Sequence, residues 1–172
     1  MHKIEKSQVM FAGKVFTAKT EEIILPNRKK AIREVAVHPG GASMVAVIEN
    51  KIVLVKQYRH AAQSYILEIP AGLLEKGETP MDCAIRELKE ETGYTARKVR
   101  HLTSVYMSVG YSTEINHIYL GEDLVPGSQE LDPGEDVEIV LMEAEQVLKR
   151  IFSGEIADSK TAIGVLGYLT WR

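Results

Sequence analysis

Glu87, Glu90 and Glu91 fall inside the segment GLLEKGETPMDCAIRELKEETGY, residues 72–94. On a helix, positions three and four apart share a face, so these three carboxylates gather within one turn. Like charges this close repel unless something cationic sits among them. An all-oxygen donor set selects a hard divalent ion such as Mg²⁺ or Mn²⁺, and such an ion suits chemistry on a phosphate-bearing substrate. Glu87 and Glu91 are the expected direct ligands, with Glu90 a third ligand or one acting through water. Arg86, four before Glu90, stands at the edge of the same face and can orient the carboxylates. The competing reading is a solvated helix whose charges merely pair at i,i+4. Pro70-Ala71-Gly72 brings bare backbone near the first half of the helix, and the Ala71 carbonyl is then a further oxygen donor. Glycine permits that close approach.

The elements that must position these groups can be read from patterning. Residues 20–25 and 31–38 look like two strands joined by Pro26-Asn27-Arg28. The runs SMVAVIE (43–49) and KIVLVKQY (51–58) are more apolar and should form a central hairpin through Glu49-Asn50-Lys51. A short strand, 65–69, leads into Pro70-Ala71-Gly72. Thr79 is a good N-cap, Pro80 suits the first helical position, and Asp82 can complete the cap. Met81, Ala84, Ile85 and Leu88 give that helix an apolar face, and Gly93 ends it. Strands follow near 96–107 and 115–121, then a loop over 124–134 and a strand over 135–142. Helical spacing covers 143–152, and Ser159 can cap a last helix. The first 40 residues are strand-rich and are expected to form a small separate subdomain, with residues 41–172 as the main domain.

Composition narrows the function classes. The chain has 172 residues, 45% of them apolar, and a net charge of −3, which suits a globular fold with a real core. Its cations are scattered, so a broad nucleic-acid surface is not expected. A single cysteine, Cys83, excludes an intrachain disulfide and a cysteine-based zinc cluster, and reads as a small core residue. MHKIEKSQVMF lacks the apolar run of a signal peptide, and no stretch approaches the roughly 20 apolar residues that span a bilayer. A cytoplasmic protein without a membrane partner is expected.

Gly72, Glu78, Arg86, Glu87, Leu88, Glu90, Glu91 and Gly93 also stand in a recognisable order. The segment resembles the Nudix box, with Tyr94 in place of the final aliphatic residue. Leaving aside Leu88, which need only be aliphatic, the seven residues of fixed type at these spacings arise by chance on the order of 10⁻⁹ per starting position. The resemblance implies the Nudix fold, an α+β architecture in which a mixed central sheet lies in an α/β/α sandwich, here with a small N-terminal β-sheet subdomain. It implies Mg²⁺-dependent, or Mn²⁺-dependent, hydrolysis of a nucleoside diphosphate linked to another group. REVAVHPGGASMVAVIENKIVLVKQYRHA, LEIPAG, GYSTEINHIYL and ADSKT extend the likeness from about Phe16 to Thr161, and are similar to the ADP-ribose pyrophosphatases. That likeness further implies a homodimer made through the N-terminal strands.

The same resemblance assigns roles outside the box. Glu114, in GYSTE, matches the loop position that carries a general base, a role needing only an ionised carboxylate within hydrogen-bond reach of water; otherwise it is a solvated loop charge. Arg59 is either a phosphate or ribose contact or a surface arginine at a strand end. Arg33 and Glu68 match positions near the substrate, or else are a strand-face cation and a buttressing acid. Phe16 either stacks on a purine or is core. Val109 stands where ADP-ribose enzymes of this family carry proline, which keeps other nucleoside diphosphate sugars, such as GDP-mannose, open as substrates. A non-catalytic nucleotide-sensing module is the remaining alternative, although such a module would not need the whole carboxylate set.

Overall fold

The structure, a computed structural model, describes residues 2–171. The chain divides into two compact units. The first holds the described residues up to Gly40 together with Tyr106–Ile115. Its core is an antiparallel sheet of β1 (Lys3–Ala12), β2 (Thr17–Ile24) and β3 (Lys30–Val37), in that order. The expected strands at 20–25 and 31–38 correspond to β2 and β3, whereas β1 was not foreseen. β1 is exposed along its whole length, so it lacks the in–out burial that makes a strand legible from its pattern. The 106–115 segment is tied to this sheet at Ala36, whose N–H donates to the Tyr111 carbonyl at 2.8 Å and whose carbonyl accepts from Thr113 N–H at 3.0 Å.

The second unit runs from Gly41 to Val105 and resumes at Asn116. Its strands are β4 (Gly41–Ile48), β5 (Lys51–Arg59), β6 (Ser64–Glu68), β7 (Ala71–Leu73), β8 (Thr95–Tyr106), β9 (Ile115–Val125) and β10 (Val137–Glu143). They form one sheet whose main order is β10-β5-β4-β9-β8, with β6 on β5 and β7 on β4. β4 and β9 run parallel, while β5 is antiparallel to both β4 and β10, so the sheet is mixed. The hairpin between β4 and β5 turns on Glu49 and Asn50, both with positive φ (49° and 68°), the signature of the tight turn that matches strand twist.

β4 explains the layering. Ala42, Met44 and Ala46 face one side, where they pack with Cys83, Ala84 and Leu88 of α1 (Pro80–Thr92). Val45 faces the other side, among residues of α2 (Ala144–Phe152) and α3 (Ser159–Thr170). A strand buried on both faces reads as a continuous apolar run, as GASMVAVI does. The result is an α/β/α sandwich. Leu88 is fully buried, and burying a leucine stabilises by about 1.5–3 kcal/mol, so α1 is firmly docked.

Two local expectations need correction. Met81 is 44% exposed, and Cys83 takes its expected place on the buried face of α1. The last helix is capped by Asp158, whose side chain accepts from Thr161 N–H at 2.9 Å, so Ser159 is already inside the helix. Among the described residues no helix is long and apolar enough to cross a membrane.

Candidate active site

The helix that carries the glutamates is fixed at both ends. Thr79 Oγ1 accepts from Asp82 N–H at 3.2 Å and donates to Asp82 Oδ2 at 2.6 Å, with Pro80 at the first helical position. Gly93 closes the helix with φ of 73°, its N–H donating to the Lys89 carbonyl. Between these caps the carboxylates project toward β7 and the loop that follows it.

Arg86 organises one group of them. Its Nε and Nη2 grip Glu78 at 2.8 and 3.0 Å, and its Nη1 donates to Glu87 at 2.7 Å and Glu90 at 2.9 Å. The same guanidinium donates to the Leu73 carbonyl at 3.2 Å. Hydrogen bonding to Arg86 is the main reason the Glu78 carboxyl is held down at about pKa 2. Glu87 moves the other way: burial is the first cause that raises it, opposed by Arg86. Sequence reasoning placed Arg86 beside Glu87 and Glu90 but overlooked Glu78, eight residues earlier across a loop, as its bidentate partner.

Glu91 is a different case. It is 3% exposed, and burial pushes its carboxyl up to about 8, against the hydrogen bond from Ala71 N–H at 3.1 Å. Glu87 and Glu68 raise it further, while Arg59 lowers it. Gly72 sits against this group. A Cβ there would lie 1.9 Å from a carboxylate oxygen of Glu87, so the Glu87 head occupies the space any other residue would need. Cys83 is buried, with its thiol raised to about 12 mainly by burial, and its Sγ donates to the Leu73 carbonyl at 3.4 Å. That is a packing role.

A metal can be tested against this arrangement. Among the described residues no set of three His, Cys, Asp or Glu side chains converges ready-made on one point, and Arg86 engages Glu87 and Glu90 directly. The chemistry of the donors fits nonetheless: oxygen ligands only, two of them carboxylates whose burial disfavours their charge, in a cradle held open by Gly72. A hard divalent ion is compatible with such donors.

A second cluster lies in the same unit. Arg59 Nε and Nη2 donate to Glu68 at 2.6 and 2.9 Å, and the hydrogen bond to Glu68 is the main cause that raises Arg59. Lys160 also donates to Glu68, and to Asp158 at 3.0 Å. Thr161 Oγ1 accepts from Ile69 N–H at 2.8 Å. Sequence reasoning named Arg59 and Glu68 but not Lys160 or Asp158; the capping signal of an Asp three residues before Thr161 was the available hint. Gln129 was also missed. Its side chain donates to the Glu91 carbonyl at 2.6 Å and the Val137 carbonyl at 3.2 Å, which pins the 126–136 loop to the end of α1. No local pattern announces it.

The remaining expected residues belong to the first unit. Arg33 is exposed, donates to the Ile32 carbonyl at 2.9 Å, and lines a concavity of about 410 Å³ with Glu21, Val109 and Tyr111. Phe16 is exposed and packs on Phe11 with ring centres 6.0 Å apart, so it is not core. Glu114 is half-buried, its N–H bonded to Ser112 Oγ at 3.1 Å and its carbonyl to Met107 N–H at 3.1 Å.

This sandwich with a carboxylate-bearing helix behind a glycine loop defines a class. Residues 37–160 match the NUDIX domain, and the chain belongs to the Nudix family of hydrolases. It is 46% identical over 165 residues to an ADP-ribose pyrophosphatase of Bacillus subtilis (strain 168), covering 94% of this chain and 89% of that protein. It is 36% identical over 150 residues to a GDP-mannose pyrophosphatase of Escherichia coli O1:K1 / APEC, covering 80% of this chain and 76% of that protein. A solved structure described as an ADP compounds hydrolase superposes with a TM-score of 0.89 at 22% identity, over 99% of this chain and 93% of that one; that likeness concerns the fold.

Proposed function

We propose that this enzyme hydrolyses the pyrophosphate bond of a nucleoside diphosphate sugar, and that ADP-ribose is its substrate, giving AMP and ribose 5-phosphate. The observation that carries the reading is the complete carboxylate set on α1, with Glu91 buried and its charge disfavoured, in a chain so similar to an ADP-ribose pyrophosphatase. Glu87, Glu90, Glu91 and the Ala71 carbonyl would hold Mg²⁺, with Mn²⁺ as a substitute. When bound, the ion offsets the charge of the diphosphate and makes the attacking water more acidic. Arg86 keeps the carboxylate heads in register. Glu114 accepts the proton of the water as it attacks phosphorus. Arg59 and Arg33 bind the phosphates or riboses, Glu68 aims Arg59, and Phe16 stacks on the base.

Hydrolysis of ADP-ribose, GDP-mannose and UDP-glucose with Mg²⁺ or Mn²⁺, with products identified, tests this. ADP-ribose is expected to lead in kcat/KM; a rank far below the other two rejects it as the substrate. GDP-mannose is the second reading, supported by Val109 at the proline position and by the relative that bears that name. Glu114→Gln is expected to slow turnover by about 10²-fold, and near-full activity would place the base elsewhere.

We also infer a homodimer through the first sheet. Ile4, Val9, Met10, Phe11 and Phe16 are all exposed there, and large apolar side chains gathered on one exposed sheet favour an interface. Sedimentation equilibrium giving a monomer at micromolar concentration would reject it.

A further inference from the structure

Lys160 carries two penalties at once. It is 8% exposed, and a buried ammonium loses its hydration. It is also the second residue of α3, where the positive end of the helix dipole repels a cation. Two acids offset these costs. Asp158 receives the ammonium at 3.0 Å, and Glu68, 2% exposed, receives it on the same Oε2 that accepts Arg59 Nη2.

The two cations that share Glu68 differ in situation. Lys160 is enclosed, whereas the Arg59 side chain is 44% exposed. Glu68 occupies the Nε–Nη2 edge of the guanidinium, and the Nη1 donors lie on a different edge of the same plane. An arginine on a solvent-facing strand end would otherwise sample many rotamers, and a surface carboxylate would follow it. Here the carboxylate is immobilised from behind, so the guanidinium plane is fixed.

The geometry points to Lys160 as a positioning residue for diphosphate binding. It clamps Glu68, which in turn holds Arg59 with its Nη1 edge turned toward an incoming phosphate. This rests on the proposed reading of Arg59 as a substrate contact. Lys160 touches no reacting atom, and its effect passes through Glu68 and Arg59 alone.

The test is a double-mutant cycle on the full chain. Calorimetry measures binding of ADP-ribose, GDP-mannose and UDP-glucose in EDTA, so that no turnover occurs, and the tightest ligand is followed through the wild type, Lys160→Met, Arg59→Ala and the double variant. Lys160→Met is expected to weaken binding about fivefold in the wild-type background and less than twofold in the Arg59→Ala background, because coupled residues are non-additive. With Mg²⁺ and saturating substrate, kcat of Lys160→Met stays within twofold of wild type. An equal loss in both backgrounds indicates a general structural role and overturns the inference, as does unchanged binding, or a tenfold fall in kcat with binding intact. If Lys160→Met does not fold, Lys160→Gln takes its place in the cycle under the same criteria. Wild-type protein that binds a ligand but hydrolyses none of the three rejects the proposed reaction and leaves this inference standing. Wild-type protein that binds none of them rejects the inference.

Discussion

Glu78 and Glu91 lie thirteen positions apart in one segment, and both are shielded glutamates, yet their surroundings drive them in opposite directions. Glu78 meets the full fork of Arg86 and is held near pKa 2. Glu91 meets one backbone N–H, is buried beside Glu87 and Glu68, and is pushed up to about 8. The first is a finished ion pair with a structural task. The second is a carboxylate whose charge is disfavoured by burial and by Glu87 and Glu68, with only partial relief from Ala71 N–H and Arg59. Under the proposed function, the contrast separates the acids that would build the site from those that would work in it, which charge counting alone cannot do.

The largest expected effect is on stability against pH without metal. The folded Glu91 carboxyl keeps its proton above the unfolded value of 4.5, up to about 8. Its contribution is therefore fully present below pH 4.5 and is lost as pH rises through 8. At 1.36 kcal/mol per pH unit this amounts to on the order of 5 kcal/mol. Denaturation in EDTA from pH 5 to 8.5 should show that decline, Glu91→Gln should flatten it, and Mg²⁺ should restore stability more at pH 8 than at pH 5.5. An alkaline limb unchanged in Glu91→Gln breaks the contrast.

Next comes turnover. Glu91→Gln is expected to lower kcat by about 10³-fold, the scale of lost charge stabilisation in a metal-assisted reaction; activity within a few-fold of wild type would remove Glu91 from the metal site. Gly72→Ala is expected to cost about 10²-fold, because the new methyl displaces the Glu87 carboxylate and misplacements near 1 Å carry that cost. Here thermal stability should fall little, and a large stability loss with normal kcat would make Gly72 a folding residue only.

The smallest effect should fall on the other side of the comparison. Arg86→Ala leaves Glu78 without its fork and is expected to destabilise by about 2 kcal/mol. Glu78 contributes stability above pH 4.5 that is lost as pH falls toward 2, so this variant should also lose part of the acid limb of the curve. If its alkaline limb changes more than its acid limb, Glu78 and Glu91 are not independent, and the division between building and working acids needs redrawing.

Much of this site was legible because its information is local. A helix period places Glu87, Glu90 and Glu91 on one face, Thr79 and Pro80 begin the helix, and Gly93 ends it; each depends on residues within a few positions. The fold class followed from the resemblance of residues 72–94 to the Nudix box, while SMVAVIE and KIVLVKQY read as a central hairpin from their apolar runs and the tight link between them. β1 was missed because every residue in it is exposed and it shows no burial pattern. Met81 was misjudged because a helix face is chosen by the surface it meets, and β4 selected Cys83.

By itself the sequence determined the gathering of Glu87, Glu90 and Glu91 on one helix, because spacing on a helix converts directly into proximity, and the resemblance of the whole segment to the Nudix box supplied the reaction class. Only the tertiary structure decided which carboxyl is pushed down and which is pushed up. That depends on desolvation and on partners from distant positions: Ala71 beside Glu91, Arg86 reaching back to Glu78, and Lys160 meeting Glu68 across 92 residues. Charge state inside a protein is set by what surrounds a group in space, and chain distance says little about that.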